Sequence, residues 1–339
     1  MKITVIGAGS FGTTLAILLC ENGHEICLYT HNKETAVELD QDRENKKYLP
    51  RIKIPQSINI TSDLKKAVDN TSAVVFAVPS VAMSSVLSQV AKLIKLDKEL
   101  GKKSDQDTVF IITSKGFDNQ NTFSKLAETV LPVPTKNIGA LSGPTHAEEL
   151  AQRLPTTCVA TSTSEDTANF IQDIFMNQYF RIYTNTDILG VELAGALKNV
   201  IALAAGILDG MGHGDNTKAA LITRGIKEIA TLGVACGADV STFYGLAGIG
   251  DLIVTCTSTH SRNLRAGRLL GAGKTIEQAK QEIGQVIEGA NAANAAAALA
   301  KKHGIDMPIV EQVNNVLSGT KTPKEAVHEL MNRDKKQEN

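Results

Sequence analysis

A short glycine-rich stretch near the start of the chain constrains the fold more than any other feature. Residues 3–16 read ITVIGAGSFGTTLA, a β-prone apolar run followed by Gly7, Gly9 and Gly12 and then by a helix-forming segment. In such a turn the first glycine permits the tight geometry, the second lets the backbone approach a pyrophosphate, and the third lets the helix pack closely on the strand. The phosphates then lie at the positive end of the helix dipole. The stretch predicts a dinucleotide-binding βαβ unit.

The residues that follow bear on which dinucleotide binds. The first helix is expected to end at 22–23, and the apolar run 25–29 supplies a second strand. In NAD-selective folds a carboxylate at the end of this strand binds the ribose hydroxyl. Here no acid precedes Glu34, and His31 and Lys33 lie close by, so the site tolerates a 2′-phosphate unless both are ordinary loop residues. We expect NADP or NAD as cofactor, with the preference between them open.

Composition indicates an ordinary globular protein of two domains. The chain has 339 residues and 42% hydrophobic content, enough for two packed cores. Lysine plus arginine at 35 nearly balances aspartate plus glutamate at 36, so no overall charge attracts nucleic acid or an anionic membrane. The five cysteines are scattered and lack CxxC spacing, which favours a reducing compartment and argues against disulfides or a metal site.

We expect a cytoplasmic protein without a membrane span. No cleavable signal peptide is expected, because the first strand follows Met1-Lys2 directly. The longest apolar tract, 191–208, contains Glu192, Lys198 and Asn199, which make it a poor membrane span.

Apolar runs alternate with helix-compatible segments over the first half of the chain. Further strands are expected at Ala73 to Val78, Val109 to Thr113, Ile138 to Leu141, Thr157 to Ala160 and Phe180 to Tyr183, with helices at Ser84 to Leu96 and Thr122 to Leu131. The alternation predicts a mainly parallel sheet covered on both faces. Ligands of such sheets bind beyond the carboxyl ends of the strands, where this sequence places glycine, proline, hydroxyl groups and Lys115.

From about residue 187 the periodicity becomes helical, and no strand is expected after Tyr183. The expected helices are Val191 to Leu208, Thr217 to Gly233, Ser261 to Leu270, Ile276 to Ile283, Ala290 to His303 and Pro308 to Leu317. We therefore predict an α/β plus all-α architecture: a Rossmann-type NAD(P)-binding domain over 1–186, a helical substrate and catalytic domain over 187–332, and a polar tail over 333–339.

One lysine of the helical half is a candidate for catalysis. The helix at 191–208 is apolar almost all round, which indicates burial, and Glu192, Lys198 and Asn199 share one stripe with Gly195. A buried ammonium must find a partner or lose its proton. Lys198 therefore either extends to solvent at a helix edge or points into a cleft between the domains, where partial burial lowers its pKa toward a value useful for proton transfer.

A second cluster lies at 248–264. Asp251 stands in a glycine and aliphatic setting, where an ionised carboxylate needs a cation. Ser261 can cap a helix that begins near Arg262, and a helix start that carries an arginine is suited to a phosphate or oxyanion. The alternative is a plain helix cap beside a surface arginine.

These motifs resemble those of bacterial-type NAD(P)-dependent glycerol-3-phosphate dehydrogenases. The resemblance spans essentially the whole chain, through GAGSFGTTLA, SKGF at 114–117, LSGPTHAEE at 141–149, VELAGALKNVIALAAGI at 191–207, GLAGIGDLIVTCTS at 245–258, HSRN at 260–263 and GQVIEG at 284–289. It implies interconversion of dihydroxyacetone phosphate and sn-glycerol 3-phosphate to supply phospholipid synthesis. It also implies a C-terminal domain like that of 6-phosphogluconate dehydrogenase, and a homodimer.

The resemblance also implies roles for individual residues. Lys198 matches the proton acceptor, Asp251 its carboxylate partner, and Lys115 a lysine that contacts both substrate and cofactor. The implied substrate contacts are Lys115, Gly143, Thr145, Lys198, Asp251, Ser261, Arg262 and Asn263. The implied cofactor contacts are Gly7, Gly9, Ser10, Phe11, Gly12, His31, Lys115, Ala147, Arg262, Val286 and Glu288.

Two other functions remain open from the sequence. One is a reductase of the same two-domain plan that acts on another small hydroxy acid, although Arg262 and the helix start at 261 favour a phosphorylated substrate. The other is a regulatory protein that binds NAD(P) without chemistry, although the lysine and aspartate positions are intact.

Overall fold

A computed structural model describes residues 1–99, 108–335 and 337–338 of the chain. These residues form two compact units, Met1–Glu192 and Leu193–Asn339. The first unit is α/β and the second is helical, as the sequence predicts.

The α/β unit is built on an eight-stranded sheet. Its strands and those of a separate small pair are β1 Lys2–Ile6, β2 Glu25–Tyr29, β3 Glu44–Asn45, β4 Leu49–Lys53, β5 Asn59–Thr61, β6 Ala73–Phe76, β7 Val109–Ile112, β8 Ile138–Ser142, β9 Thr156–Ser162 and β10 Phe180–Asn185. The order in the large sheet is β10-β9-β8-β7-β6-β1-β2-β5. β8 and β9 pair antiparallel and the other neighbours pair parallel, so the predicted mainly parallel sheet is confirmed.

Helices cover both faces of this sheet. They are α1 Ser10–Glu21, α2 Lys33–Asp42, α3 Leu64–Val68, α4 Ser80–Glu99, α5 Phe123–Val130, α6 Ala147–Ala151, α7 Glu165–Phe175 and the first residues of α8 Ile188–Gly210. Alternate residues of one strand enter opposite cores, because successive side chains point to opposite faces. Val75 packs in one cluster, and its neighbours Val74 and Phe76 in the other.

The expected elements of this unit agree with the structure except at their ends and in the short pieces. β6 ends at Phe76 rather than Val78, and α4 begins four residues before the expected Ser84. Helix α7 is an addition to the expected elements, although Ser164 followed by Glu165 and Asp166 is a helix-start pattern. The Ser164 hydroxyl indeed accepts a hydrogen bond from the Thr167 amide.

The second unit contains the rest of α8 and the remaining helices. These are α9 Asp215–Ala235, α10 Val240–Phe243, α11 Asp251–Thr257, α12 Arg262–Gly271, α13 Ile276–Ile283, α14 Glu288–His303, α15 Pro308–Leu317 and α16 Pro323–Met331. All six expected helices are present. The structure adds α10, α11 and α16, and a π-helical turn at Leu246–Gly250 precedes α11.

Helices α8 and α12 pack backbone against backbone. A β-carbon on Gly206 of α8 would lie 2.1 Å from a carbonyl oxygen of α12, and one on Gly267 would lie 2.1 Å from a carbonyl oxygen of α8. Gly210 and Gly271 repeat the contact one turn further along, each at 2.2 Å. No side-chain layer fits between the two helices at these four positions.

Within the part of the chain that the structure describes, two helical segments have the length and apolar character of a membrane span. In α8 the most apolar window is 94% buried within the protein, which is typical of a core helix, and in 240–257 the corresponding share is 44%.

Candidate active site

The predicted glycine turn joins β1 to α1. Gly7 has φ +114°, and a β-carbon there would lie 2.4 Å from the carbonyl oxygen of Ala77. A β-carbon on Gly12 would lie 1.9 Å from the Gly7 carbonyl oxygen, whereas nothing lies within 4 Å of the corresponding position at Gly9. Gly7 and Gly12 are thus required by close packing, and the open side at Gly9 leaves room for a pyrophosphate.

The start of α1 has the properties of an anion-binding helix terminus. Gly9 is its N-cap residue and provides no side-chain cap, so the first-turn amides remain available to a ligand. Ser10 and Phe11 form this first turn, and Phe11 packs partly against the core. These residues fit a dinucleotide, whose pyrophosphate they would hold.

The end of β2 is open, as the sequence indicates. His31 is exposed two residues beyond the strand, and the Asn32 side chain caps α2 by accepting a hydrogen bond of 2.6 Å from the Thr35 amide. Glu34 lies in the first turn of that helix.

Three of the expected substrate contacts meet at the ends of β7 and β8. The ammonium of half-buried Lys115 donates a hydrogen bond of 2.9 Å to the carbonyl oxygen of Gly143, and the Thr145 hydroxyl donates to the same oxygen at 3.2 Å. Gly143 has φ +151°, and a β-carbon there would lie 2.8 Å from that of Cys158. The glycine therefore lets the loop approach β9 and directs its carbonyl toward Lys115.

The same loop reaches the glycine-turn helix. Ala147 begins α6, is buried, and its carbonyl oxygen accepts a hydrogen bond of 3.3 Å from the Thr14 hydroxyl of α1. The α/β unit thus brings the candidate cofactor residue Ala147 to the helix that carries Ser10.

In the helical unit, Lys198 and Asp251 form a buried ion pair. The Lys198 Nζ lies 2.5 Å from the Asp251 Oδ1 and 2.6 Å from the Thr255 hydroxyl oxygen. The side chains are 7% and 2% exposed, so the ammonium is removed from bulk solvent. Thr255 in turn donates to the Asp251 carbonyl oxygen at 2.6 Å. The Lys198 ammonium therefore does not extend to solvent, and that alternative is wrong.

A buried thiol beside this pair stays neutral. Burial raises the pKa of Cys256 to about 12, against the opposing effect of the Lys198 charge. The thiol therefore remains protonated near neutral pH and does not compete with Asp251 for the ammonium.

The start of α12 is fixed by an N-cap hydrogen bond and by buried hydrogen bonds of the Asn263 side chain. Ser261 is buried, and its hydroxyl accepts a hydrogen bond of 3.2 Å from the Leu264 amide, as expected of an N-cap. Arg262, the first residue of the helix, is exposed. Asn263 is buried: its side-chain amide donates to the Asn199 oxygen at 2.9 Å, and its oxygen accepts from the Gly289 amide at 2.9 Å.

The Asn263 side chain is buried and the Arg262 side chain is exposed, so the two residues cannot contact a ligand in the same way. The Asn263 side chain links α8, α12 and the start of α14, which leaves its backbone amide in the first turn as the group suited to a substrate oxygen. The candidate cofactor residues Val286 and Glu288 are half-buried in the segment that this link holds, with Glu288 the first residue of α14.

Glu192 hydrogen-bonds Ser124 rather than Lys198, although it shares the sequence stripe with Lys198. Its Oε1 accepts a hydrogen bond of 3.0 Å from the Ser124 amide, and its Oε2 bonds the Ser124 hydroxyl. Glu192 therefore caps the start of α5 within the α/β unit, and burial raises its pKa.

Thr255 is not among the residues expected from the sequence, and Asn199 is expected only as a polar residue of the Lys198 stripe, without a role. Thr255 lies four residues after Asp251, so both project from one face of α11. Asn199 is one of few polar residues on an apolar helix. Spacing and polarity on an apolar face are the signals that could have found them.

Two requirements of one reaction are thus present in the chain. A nicotinamide dinucleotide exchanges hydride with a carbonyl carbon, and the carbonyl oxygen then needs a proton donor in a water-poor site. The glycine turn meets the first requirement and the buried ammonium the second. Fold and site define an NAD(P)-dependent dehydrogenase.

Comparison with known proteins identifies the family. The profile of the NAD-dependent glycerol-3-phosphate dehydrogenase N-terminus matches residues 2–168, and that of the C-terminus of the same family matches residues 187–328. The chain belongs to this family.

Individual relatives agree with the profiles. A glycerol-3-phosphate dehydrogenase [NAD(P)+] of Fusobacterium nucleatum is 50% identical over 100% of this chain and 98% of its own length, and one of Bacillus subtilis is 48% identical over 99% and 96%. The crystal structure of glycerol-3-phosphate dehydrogenase from Coxiella burnetii has a TM-score of 0.91 at 36% identity and covers 98% of this chain and 99% of that one.

Proposed function

We propose that the protein reduces dihydroxyacetone phosphate to sn-glycerol 3-phosphate, and catalyses the reverse reaction, with NADH or NADPH. The observation that carries this proposal is the buried ion pair of Lys198 with Asp251. It supplies a fixed, buried acid in a chain whose full-length relatives are named glycerol-3-phosphate dehydrogenases. The product would supply phospholipid synthesis.

When bound next to the substrate, NADH or NADPH would supply the hydride that the ketone carbon receives. Negative charge then grows on the carbonyl oxygen, and Lys198 donates a hydrogen bond and finally a proton to it. In the oxidation direction the neutral amine accepts the proton of the substrate hydroxyl. Asp251 favours the charged form of the lysine, whereas burial favours the neutral form, so the two effects oppose each other.

Asp251 and Thr255 also orient the ammonium. A lysine ammonium has three N–H groups, and these two partners use two of them. These contacts fix the direction in which the ammonium is presented to the substrate oxygen. Lys115 adds a second cation, whose direction is set by the Gly143 carbonyl.

Arg262 and the start of α12 bind the substrate phosphate. The guanidinium can hold two phosphate oxygens through parallel hydrogen bonds, and the first-turn amides add the positive end of the helix dipole. Because Ser261 already accepts from Leu264, its part is to shape this helix start. Holding the non-reacting phosphate orients the carbonyl for hydride transfer.

The proposal is tested by following oxidation of NADH and NADPH in parallel with dihydroxyacetone phosphate and with unphosphorylated 2-keto acids. Arg262→Ala should raise the KM for dihydroxyacetone phosphate about tenfold to 150-fold, which corresponds to about 1.5–3 kcal/mol for a charged hydrogen bond. Arg265→Ala, an exposed arginine one turn along the same helix, is the matched control and should leave KM unchanged.

Two outcomes would favour the other functions. Faster turnover of an unphosphorylated keto acid, with no effect of Arg262→Ala, would indicate a reductase of another small hydroxy acid. Binding of NADPH without oxidation by any ketone would indicate a dinucleotide-responsive regulatory protein.

Cytoplasmic location, which the scattered cysteines favour, and assembly as a homodimer, which the family resemblance implies, belong to the same proposal. Cell fractionation and sedimentation of the purified protein test them separately from the chemistry.

A further inference from the structure

The helical unit contains a cavity that the proposed reaction does not use. Its volume is about 460 Å³, within the usual range for small-molecule sites. Its walls come from α8, α9, α15 and α16 and carry mainly aliphatic side chains, among them Ala204, Leu221, Ile309, Val313, Val327 and Leu330. A cavity with mainly aliphatic walls suits the alkyl chain of a ligand.

Polar groups lie at the edge of this cavity. The Arg224 guanidinium of α9 holds the carboxylate of Glu338, from the end of the chain, at 3.0 Å, and the Arg333 guanidinium holds Asp306 at 2.6 Å. Both Arg224 and Glu338 are solvent-exposed, at 44% and 81%, so their pair is weak and exchangeable. Arg224, which lines the cavity, therefore already binds a carboxylate.

Glu228, a buried polar residue of the cavity wall, is already hydrogen-bonded within the protein. Glu228 is buried, and its carboxylate accepts hydrogen bonds from the amides of Ile309 and Val310 at the start of α15 at 2.9 and 3.4 Å. An occupant is thus not required to pair with Glu228 and can be apolar along its length.

We propose that this cavity binds a straight-chain aliphatic carboxylate, with the alkyl chain between α9, α15 and α16 and the carboxylate on Arg224 in place of Glu338. A second copy of the protein is a poorer occupant, because the charged pairs at the cavity edge would have to be desolvated in an interface. The site is independent of the lysine and aspartate pair and of the proposed substrate.

Calorimetric titration of the full-length protein with hexanoate, octanoate and decanoate tests the proposal. Affinity should rise about threefold to fourfold for each added methylene group, as expected when each is buried in an apolar site. Decanoate should bind one molecule per chain and more tightly than 1-decanol, which lacks the carboxylate.

Matched variants locate the binding. Ala220 lines the cavity and Ala219, its neighbour on α9, does not, although both are exposed. Ala220→Trp should weaken decanoate binding at least tenfold and Ala219→Trp should leave it unchanged. Arg224→Gln should weaken it, whereas Glu338→Gln, which removes the competing carboxylate, should strengthen it about twofold to fivefold. Far-UV circular dichroism spectra like that of the wild type show that both tryptophan variants are folded.

Several results would overturn the proposal. They are the absence of saturable binding, equal binding to both tryptophan variants, equal affinity for decanoate and 1-decanol, and dissociation of a dimer by Ala220→Trp, which would make this face a contact between copies. None of these results bears on the dehydrogenase assay, so the two proposals fail separately.

Discussion

The two lysines proposed for the active site differ in what holds them. Lys198 is 7% exposed and its ammonium lies between a carboxylate and a hydroxyl, at 2.5 and 2.6 Å. Lys115 is half-buried and its ammonium donates to a neutral carbonyl, that of Gly143, at 2.9 Å. The Lys198 ammonium is thus held by a buried opposite charge, and the Lys115 ammonium is held by a carbonyl dipole in a partly exposed position.

Because of this difference, we expect the two lysines to have different roles in the reaction. A buried lysine paired with an aspartate has a fixed direction and a protonation state set by its surroundings, which suits proton transfer. A partly solvated lysine on a carbonyl group can turn toward a ligand at small cost, which suits electrostatic binding. The comparison predicts unequal effects when each group is removed.

Removal of the Lys198 amine should have the largest effect. Lys198→Ala should lower kcat about 1,000-fold or more, because both the charge and the proton needed at the carbonyl oxygen are lost. The Kd for NADPH should change less than twofold. Lys218→Ala, which removes a lysine from an ion pair with Asp209 in the same unit, is the control. A Lys198→Ala variant that keeps most of its kcat would contradict the assignment.

Loss of the carboxylate should affect folding as well as turnover. Asp251→Asn leaves the Lys198 ammonium buried without its counter-charge, so the free energy of unfolding should fall by about 3–5 kcal/mol at pH 7. Asp42→Asn breaks a surface pair with Lys46 and should cost no more than about 1 kcal/mol. Urea denaturation measures both. Equal losses would mean that burial does not distinguish the two pairs.

Glu228 extends the comparison to a buried carboxylate whose hydrogen bonds come from backbone amides. Burial raises its pKa to about 7, against hydrogen bonds from the Ile309 and Val310 amides. The folded state therefore binds a proton that the unfolded state releases near pH 4.5. This stabilisation is complete below pH 4.5 and is lost as the pH rises to 7.

The free energy of unfolding of the wild type should therefore fall, relative to Glu228→Gln, by about 2–3 kcal/mol between pH 5 and pH 8. Denaturation of both proteins at the two pH values measures this change. A constant offset between them would show that Glu228 has an ordinary pKa.

Removal of Lys115 should have the smallest effect of the series. Lys115→Ala loses one charged hydrogen bond to the substrate or cofactor, so kcat/KM should fall about tenfold to 150-fold, with little change in unfolding. Lys125→Ala, at an exposed pair with Glu128, is the control. If Lys115→Ala lost as much kcat as Lys198→Ala, the division of work between the two lysines would be wrong.

The sequence predicts the fold well because its signals are local. The glycine spacing at Gly7, Gly9 and Gly12 requires a strand, a turn and a helix in that order, and long apolar helices such as α8 are marked by their periodicity. Short elements such as α10 and the π-helical turn before Asp251 have too few residues to show a period, and tertiary packing decides their form.

The candidate site is predicted less completely. The type and position of Lys198, Asp251 and Ser261 indicate polar groups in need of partners, but a sequence does not show which partner each one meets. Glu192 lies on the lysine stripe yet binds Ser124, and Asn263 uses its side chain on Asn199 and Gly289. These pairings depend on how distant segments approach one another, which spacing alone does not determine.

The glycine contacts between α8 and α12 fix the distance between the two helix backbones. The main chains of the helices that carry Lys198 and Arg262 touch at Gly206 and Gly267, so the spacing of these two backbones cannot change without breaking this contact. The buried Lys198 ammonium is fixed on one backbone by its pair with Asp251, whereas the Arg262 side chain on the other is exposed. Adjustment to phosphorylated substrates of different length would therefore fall to the arginine rather than to the helices.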